Sequence, residues 1–475
     1  MKSISRHSVS VFIFRRDLRL DDNTGLIKAL TESETVIPLF ILTPTQVSNQ
    51  NSYKSSNAVQ FMMESLIDLD KQIHANNSKH RLWVWYGDEI PVLNRIRRQY
   101  KYTAIYVNAD YTPYAIHRDK AIAMFCVKKR IQFVSNTDIL LLDTLSIKSG
   151  NDTYYKIFTQ FYHKILSMSI RKPNYYLESR FQPIPIIWRR YNIGVMNKWL
   201  LSQNYYKINP QIAIHGGRAQ ALILLKNLAK FRTYFKTRDQ IAIPTTHLSP
   251  HNKFGTVSIR EVYWTFKLKA KSKDLITQLY WRDFYYYAGV HFKGFYQHQH
   301  LTRHVKIVWP SLNRSHLTAW QEGKTGFPIV DAAMRELNIT GFMHNRGRLI
   351  VASFLVKDLL INWIYGERYF SQKLIDIDRA QNTGNWNWSS SFGLDATPFL
   401  RIFNPWTQSV EADPDSIYIK KWIPELAEIP ATDLHQWSKS WSKYLNITYP
   451  KPMVDHRIQR MKFVKLYNRY FKRKL

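Results

Sequence analysis

Four short runs of β-branched and aromatic residues punctuate the beginning of the chain: VFIF at 11–14, VIPLFIL at 36–42, RLWVW at 81–85 and TAIYV at 103–107. Between the second and third, Val59, Met62, Met63, Leu66, Leu69 and Ile73 recur at three- and four-residue intervals, which puts them on one face of a helix. Uninterrupted apolar runs alternating with helical periods predict strands buried on both faces, so residues 1–140 are expected to form an α/β domain around a doubly wound parallel sheet. The loop after the first run reads RRDLRLDDN and lacks G-x-G-x-x-G, which argues against a nicotinamide dinucleotide site.

Periodicity fades over 141–210, where prolines stand at 173, 183, 185 and 210, and a long interdomain connection is expected there. Beyond it, 211–475 follows a helical pattern rich in Trp and Tyr, predicting one large all-α domain. Gly216-Gly217 suits the turn that starts a helix and no phosphate cradle, since no G-K-[ST] follows.

Charge then narrows the function. The 68 Lys and Arg against 35 Asp and Glu give a formal +33, an excess that points to a polyanion, with nucleic acid the default partner. The single cysteine, Cys126, excludes an intrachain disulfide and a cysteine-based zinc site. With no apolar stretch of membrane-spanning length and no signal-peptide core, the chain is expected to be a soluble intracellular protein, cytoplasmic or nuclear, with no membrane association. The C-terminal RIQRMKFVKLYNRYFKRKL carries eight Lys and Arg and reads as a solvated basic helix, with nuclear targeting or DNA contact as alternatives. His298, His300 and His304 have ligand-like spacing but no acidic or cysteine partner close by, so a polar loop and no metal site is expected.

Long segments then carry a specific likeness. AWQEGKTGFPIVDAAMRELNITGFMHNRGRLIVASFLVKDLL (319–360) and LIDIDRAQNTGNWNWSSSFGLDATPFLRIFNP (374–405) resemble the flavin-binding core of class I photolyases in the photolyase/cryptochrome family. VFIFRRDLRLDDN, TTHLSP (245–250) and LYWRDFYYY (279–287) resemble it too, in the same order along the chain. The resemblance implies an N-terminal antenna domain, a helical domain gripping FAD, and light-driven splitting of cyclobutane pyrimidine dimers in UV-damaged DNA by a monomeric lyase. It places FAD contacts on Tyr234, Thr245, Thr246, Leu248, Ser249, Arg282, Asn345, Arg348, Asp376, Asp378 and Asn382. A reduced flavin anion in a buried site needs donors and cations, which Arg348 and Asn345 supply. The resemblance sets the Asn345 amide facing flavin N5, where plant cryptochromes carry Asp. Thr245, Thr246 and Ser249 supply hydroxyls and amides of the kind that accept diphosphate oxygens.

Trp386, Trp363 and Trp309 match the family's electron relay from the surface to the flavin. Trp281 and Trp388 match the aromatic wall against which a flipped-out dimer rests, and Arg346 a phosphate contact. Three positions depart from the pattern. Gln278 stands where dimer photolyases usually carry Glu; a matching Gln is frequent in (6-4) photolyases and animal cryptochromes, so (6-4) repair and a blue-light receptor are the rival readings. The (6-4) enzymes use a paired-His motif, and here only His344 is present, in HNRGRL. Leu349 replaces a Met against the substrate, and Ala115 replaces an acidic residue of folate-binding members, which leaves the antenna open among folate, a deazaflavin, a second flavin and none.

Overall fold

The computed structural model describes residues 7–176, 180–298, 307–395 and 400–471. Five strands, β1 (His7–Phe14), β2 (Ser33–Leu42), β3 (Trp83–Tyr86), β4 (Ala104–Asn108) and β5 (Gln132–Asn136), form one parallel sheet in the order β3-β2-β1-β4-β5. Alternation along the strands divides their side chains between two apolar layers. Val11, Ile13, Ile37, Leu39 and Ile105 face Trp83, Trp85 and Trp188, whereas Phe12, Phe14, Val36 and Phe40 face the helix Ser56–Asn76. That helix starts where the Ser55 hydroxyl accepts from Ala58 N, and all six of its predicted apolar positions are buried. The fifth strand, QFVSN, lies at the sheet edge with no fully buried residue, and its polar composition hid it from the apolar-run pattern.

Between 141 and 210 the chain serves both halves of the molecule. Helix Phe158–Ile165 packs into the helical body beside Phe284, while Trp188 inserts edge-on to Trp83 and Trp85 under the sheet. Phe181 makes an isolated parallel bridge to Val36. Gly216 and Gly217 do lead into a helix, Arg218–Lys226; a Cβ at Gly216 would fall 2.1 Å from the Phe61 carbonyl oxygen. Cys126 is buried, and burial pushes its thiol up to about 11.

The helical body contains Lys273–His291, Pro328–Thr340, Asn345–Ser353, Trp363–Lys373 and Arg379–Ser389. The C-terminal helix His456–Phe471 docks through Phe463 and Leu466 and turns Arg460, Lys465 and Arg469 outward, the amphipathic arrangement of a solvated basic helix. His298 sits 3.7 Å from the Glu367 carboxylate; His300 and His304 lie outside the described residues. Among the described residues no three His, Cys, Asp or Glu group as a metal site, and no helix is long and apolar enough to cross a membrane.

A buried ionic cluster and a buried carboxyl fasten the halves together. Arg260 donates to Asp22 (2.6 Å) and Asp138 (2.7 Å), and Arg19 to Asp138 (2.6 Å). Burial opposes ionisation of Asp138, yet Arg19 and Arg260 hold its carboxyl well below the usual range. Nearby, Asp283 on Lys273–His291 accepts from the backbone of Leu141 (2.9 Å) and Leu142 (3.3 Å) and so pins the start of the connection. Burial pushes that carboxyl up to about 7. Because this folded value lies above the ordinary unfolded one, Asp283 contributes stability at acidic pH that is lost as pH rises from about 4 through 7. Asp283→Asn keeps an acceptor and cannot ionise. Its melting temperature is expected to match wild type near pH 5 and to equal or exceed it at pH 8; a lower value at pH 8 alone would contradict the assignment.

Candidate active site

A cleft of about 280 Å³ opens in the helical body between the 245–249 loop, Lys273–His291 and the start of Asn345–Ser353. It is lined by Tyr234, Thr245, Thr246, Leu248, Ser249, Gln278, Arg282, Asn345, Arg348, Asp376 and Asp378. A hollow of about 80 Å³ shares Asn345, Arg348, Asp376 and Asp378 with that cleft and adds Leu349, Asn382 and Trp386. All eleven positions expected to touch FAD therefore border the cleft or the hollow that shares its wall, although they come from five segments of the chain.

Local bonding explains their order. Ser249 Oγ and Arg348 Nη2 donate to the same oxygen, Asp376 Oδ2, at 2.6 and 2.9 Å. The Arg348 Nε bond to Met343 O (2.9 Å) and the guanidinium's seat over the Phe342 ring fix its direction. The other oxygen, Asp376 Oδ1, is buried without a partner. An unpaired buried acceptor is costly, and a hydroxyl or N–H of a ligand in this cleft would satisfy it. The neighbouring hydroxyls, carboxamides and guanidinium likewise fit a nucleotide with a polar ring edge.

Asn345 is exposed at the first turn of its helix, which His344 caps by accepting from Arg346 N. Burial, with Arg348 and Arg346 close by, pushes the His344 imidazole down to about 4, so it is neutral near pH 7. Asn382 is buried one turn before Trp386, and its amide donates to Glu367 O (2.9 Å) and Ser371 Oγ (3.0 Å). Asp378 is fully engaged: it accepts from Ala380 N and Gln381 N as a helix cap, and from Arg16 and the Tyr286 hydroxyl on its other oxygen. Despite its burial, Arg16, Lys253 and Arg282 hold this carboxyl well below the usual range.

Trp386 is buried at the edge of the hollow, edge-on to Phe370 at 5.0 Å. A Cβ at Gly366 would come within 2.2 Å of its indole, which is why the two helices meet so closely there. Trp363 is buried edge-on to His298 (5.2 Å), and Trp309 is half-buried beside Phe392 (5.9 Å). The three share one apolar cluster.

The substrate-side positions divide. Gln278 is exposed on the cleft lining, with only a 3.4 Å bond to Asp274 O. Leu349 borders both the hollow and a small pocket of about 20 Å³ formed with Trp388, Lys357, Arg401 and Phe403. Trp281 does not line the cleft: one face stacks on Phe158 at 3.6 Å and 10°. Arg346 is ion-paired with Asp239 and donates to Gln408 at 3.3 Å.

Sequence reasoning missed several groups. Lys357 is buried beside Trp388, donates to Arg401 O, and is pushed down to about 7 by burial; a lysine inside the apolar run SFLVKDLL was the available signal. Arg401 is exposed at the same pocket. A second crevice, of about 500 Å³, lies outside the carboxyl ends of β1 and β2 and is lined by Arg15, Arg16, Phe40, Tyr53, Lys54, Tyr114 and Arg118 among others. Ala115 is buried and outside that lining.

A parallel-sheet domain with a crevice at its carboxyl edge, joined to a helical body with a polar cleft, is the build of a two-domain cofactor-binding protein. Residues 10–178 match the family described as DNA photolyase, and residues 275–469 the FAD binding domain of DNA photolyase. The deoxyribodipyrimidine photo-lyase of Buchnera aphidicola subsp. Acyrthosiphon pisum is 35% identical over 93% of each chain. Among solved structures, the archaeal photolyase from Sulfolobus tokodaii with two FAD molecules is 38% identical, with a TM-score of 0.86 over 97% of this chain and 100% of that one. A class III photolyase from Agrobacterium tumefaciens is 28% identical, with a TM-score of 0.87 over 99% of both. The chain belongs to the photolyase/cryptochrome family, and its helical body is the family's FAD-binding domain.

Arg348→Leu leaves Asp376 with Ser249 as its one donor. Charge-assisted hydrogen bonds contribute about 1.5–3 kcal/mol, so FAD retention through gel filtration, read as the ratio of flavin to protein absorbance, is expected to fall about tenfold or more. Unchanged flavin content would remove Arg348 from the site.

Proposed function

We propose that this protein is a deoxyribodipyrimidine photo-lyase that uses light to split cyclobutane pyrimidine dimers in DNA. The observation that carries this reading is the convergence of ten of the eleven expected flavin-contact positions on one cleft, with Asn382 and Trp386 on the hollow beside it and Gln278 exposed on the cleft lining. Relatives that cover almost the whole chain bear the name of that activity. Reduced FAD, when bound and excited by blue light, supplies the electron that opens the cyclobutane ring and receives it back.

The chain's own residues do the rest. Arg348 and Arg282 place positive charge beside the cleft, where a buried anion would otherwise be disfavoured. Of the two carboxamides, Asn382 is the better candidate to face the flavin ring, because it is buried and shares a helix face with Trp386, whereas Asn345 is exposed toward the mouth. Trp309, Trp363 and Trp386 run from half-buried to buried and suit stepwise electron delivery to the cleft. Gln278 can donate and accept hydrogen bonds to the bases of a flipped-out dimer. Trp388 and Leu349 offer the apolar side, and Trp281, backed by Phe158, stiffens the wall behind. For Arg346 to reach a phosphate it must exchange Asp239 for the DNA backbone, a trade that favours the polyanion.

The deciding experiment is blue-light repair of an oligonucleotide carrying one cyclobutane dimer, beside one with a (6-4) lesion. Wild type is expected to restore the first alone; Gln278→Glu is expected to repair it at least as fast, and Trp386→Phe to repair it only when reduced chemically beforehand. Restoration of the (6-4) lesion alone, or of neither, would overturn the reading. The crevice on the sheet is the proposed seat of a second chromophore, and the likeness to a photolyase with two FAD molecules favours a flavin there. Flavin released on denaturation should then approach two per chain after reconstitution with excess flavin; a ratio fixed at one excludes it.

A further inference from the structure

Lys253 borders both the flavin cleft and the crevice on the sheet. Its position is set by Phe254, over whose ring the ammonium lies at 4.7 Å, and by Arg16, whose Nε donates to the Lys253 carbonyl at 3.1 Å. The other cations nearby are already engaged within the protein. Arg16 is paired with Asp378, with Asp110 at 3.5 Å, and Arg282 donates to Ile139 O. Lys253, by contrast, makes no salt bridge and no side-chain hydrogen bond among the described residues.

The Lys253 ammonium is half-buried, and its N–H donors stand open to an acceptor that a ligand in either cavity would bring. Burial, with Arg16 adding to it, pushes Lys253 down to about 7. The charged groups facing it from the surrounding elements are Arg16 after β1, Asp110 after β4, Arg282 on Lys273–His291, and Asp378 at the start of Arg379–Ser389. On the cleft side, Lys253 shares the lining with Thr246, Ser249 and Asn252. On the crevice side, Arg15, Arg118 and Lys54 already supply positive charge.

We propose that Lys253 is a phosphate-binding residue of the flavin cleft, donating its ammonium N–H groups to the diphosphate of FAD beside Thr246 and Ser249. The assignment rests on the cleft being the FAD site. A phosphate beside the ammonium raises its proton affinity again, so FAD binding takes up a proton near neutrality and weakens as pH rises above 7.

The test is the rate at which the flavin-loaded protein releases FAD, followed by the gain in flavin fluorescence from pH 6 to 9. Wild type is expected to release faster by up to about tenfold per pH unit above 7. Lys253→Met should release fast at every pH, and Lys253→Arg slowly at every pH, since a guanidinium keeps its charge. Riboflavin, which lacks phosphate, should bind the wild type and Lys253→Met equally. Release from Lys253→Met with the wild-type rate and pH slope overturns the proposal. So does loss of a second chromophore with FAD release unchanged, which would place the contact in the crevice. Should Lys253→Met fail to fold, the wild-type and Lys253→Arg profiles decide alone: matching pH slopes refute the proposal. A purified protein without FAD in the cleft would instead refute the cofactor reading on which it rests.

Discussion

The ion pair between Arg16 and Asp378 is the constraint on which the functional part of the molecule depends. Arg16 leaves the carboxyl end of the central strand, and Asp378 caps the helix that carries Asn382 and Trp386. Both groups are largely buried, so removal of either leaves an uncompensated charge, at a cost of about 3–5 kcal/mol. Tyr286 braces the pair: its hydroxyl donates to the same carboxylate, and the Arg16 guanidinium also lies over its ring. Gly255 completes the contact. It adopts a left-handed φ of +64°, and a Cβ there would fall 2.1 Å from the Arg16 carbonyl oxygen. The sheet domain thereby sets the position of the helix that forms the inner edge of the flavin cleft.

This arrangement explains why the two cavities share a wall. The carboxyl edge of a doubly wound sheet gathers loop residues and leaves a crevice, and here the helical body covers part of that crevice with Lys253, Ile377 and Arg379. Asp376, Ile377 and Asp378 are consecutive where the chain leaves a turn at Ile375–Asp376. Asp376 and Asp378 line the cleft, and Ile377 lines both the adjoining hollow and the crevice. Three consecutive residues thus border both cavities.

The periodicity that burial imposes marks how far the sequence could be read. Strands β1 to β4 and the helix Ser56–Asn76 were legible because burial on both faces, or on one helical face, leaves a period in the residues themselves. Strand β5 was not, because an edge strand needs no apolar run. Helix Phe158–Ile165 was hidden for a related reason: it is eight residues long and its apolar face meets a helix more than a hundred residues away. The flavin positions were legible through their resemblance to a family, and the structure brings them together. Their electrostatics were not legible, since Arg16 and Asp378 are 362 residues apart. The resemblance also gave no hint that Trp281 has one face covered by Phe158, or that Arg346 is held by Asp239.

The mouth of the cleft shows the same balance of charge and burial in a different form. A carboxylate at position 278 would be drawn from water when a dimer covers it, and an ionised group resists that transfer far more strongly than a carboxamide does. Gln278 avoids the desolvation cost, and its long contact with Asp274 O leaves the amide free to turn toward the bases. What it gives up is the charge and the exchangeable proton with which a carboxyl group can respond to an electron arriving on the dimer. Arg282, whose guanidinium borders the same cleft one turn further along the helix, remains as fixed positive charge whichever side chain occupies 278. Under the proposed function, Gln278 would exchange one contribution to splitting for easier lesion binding, with Arg282 still on the cleft lining.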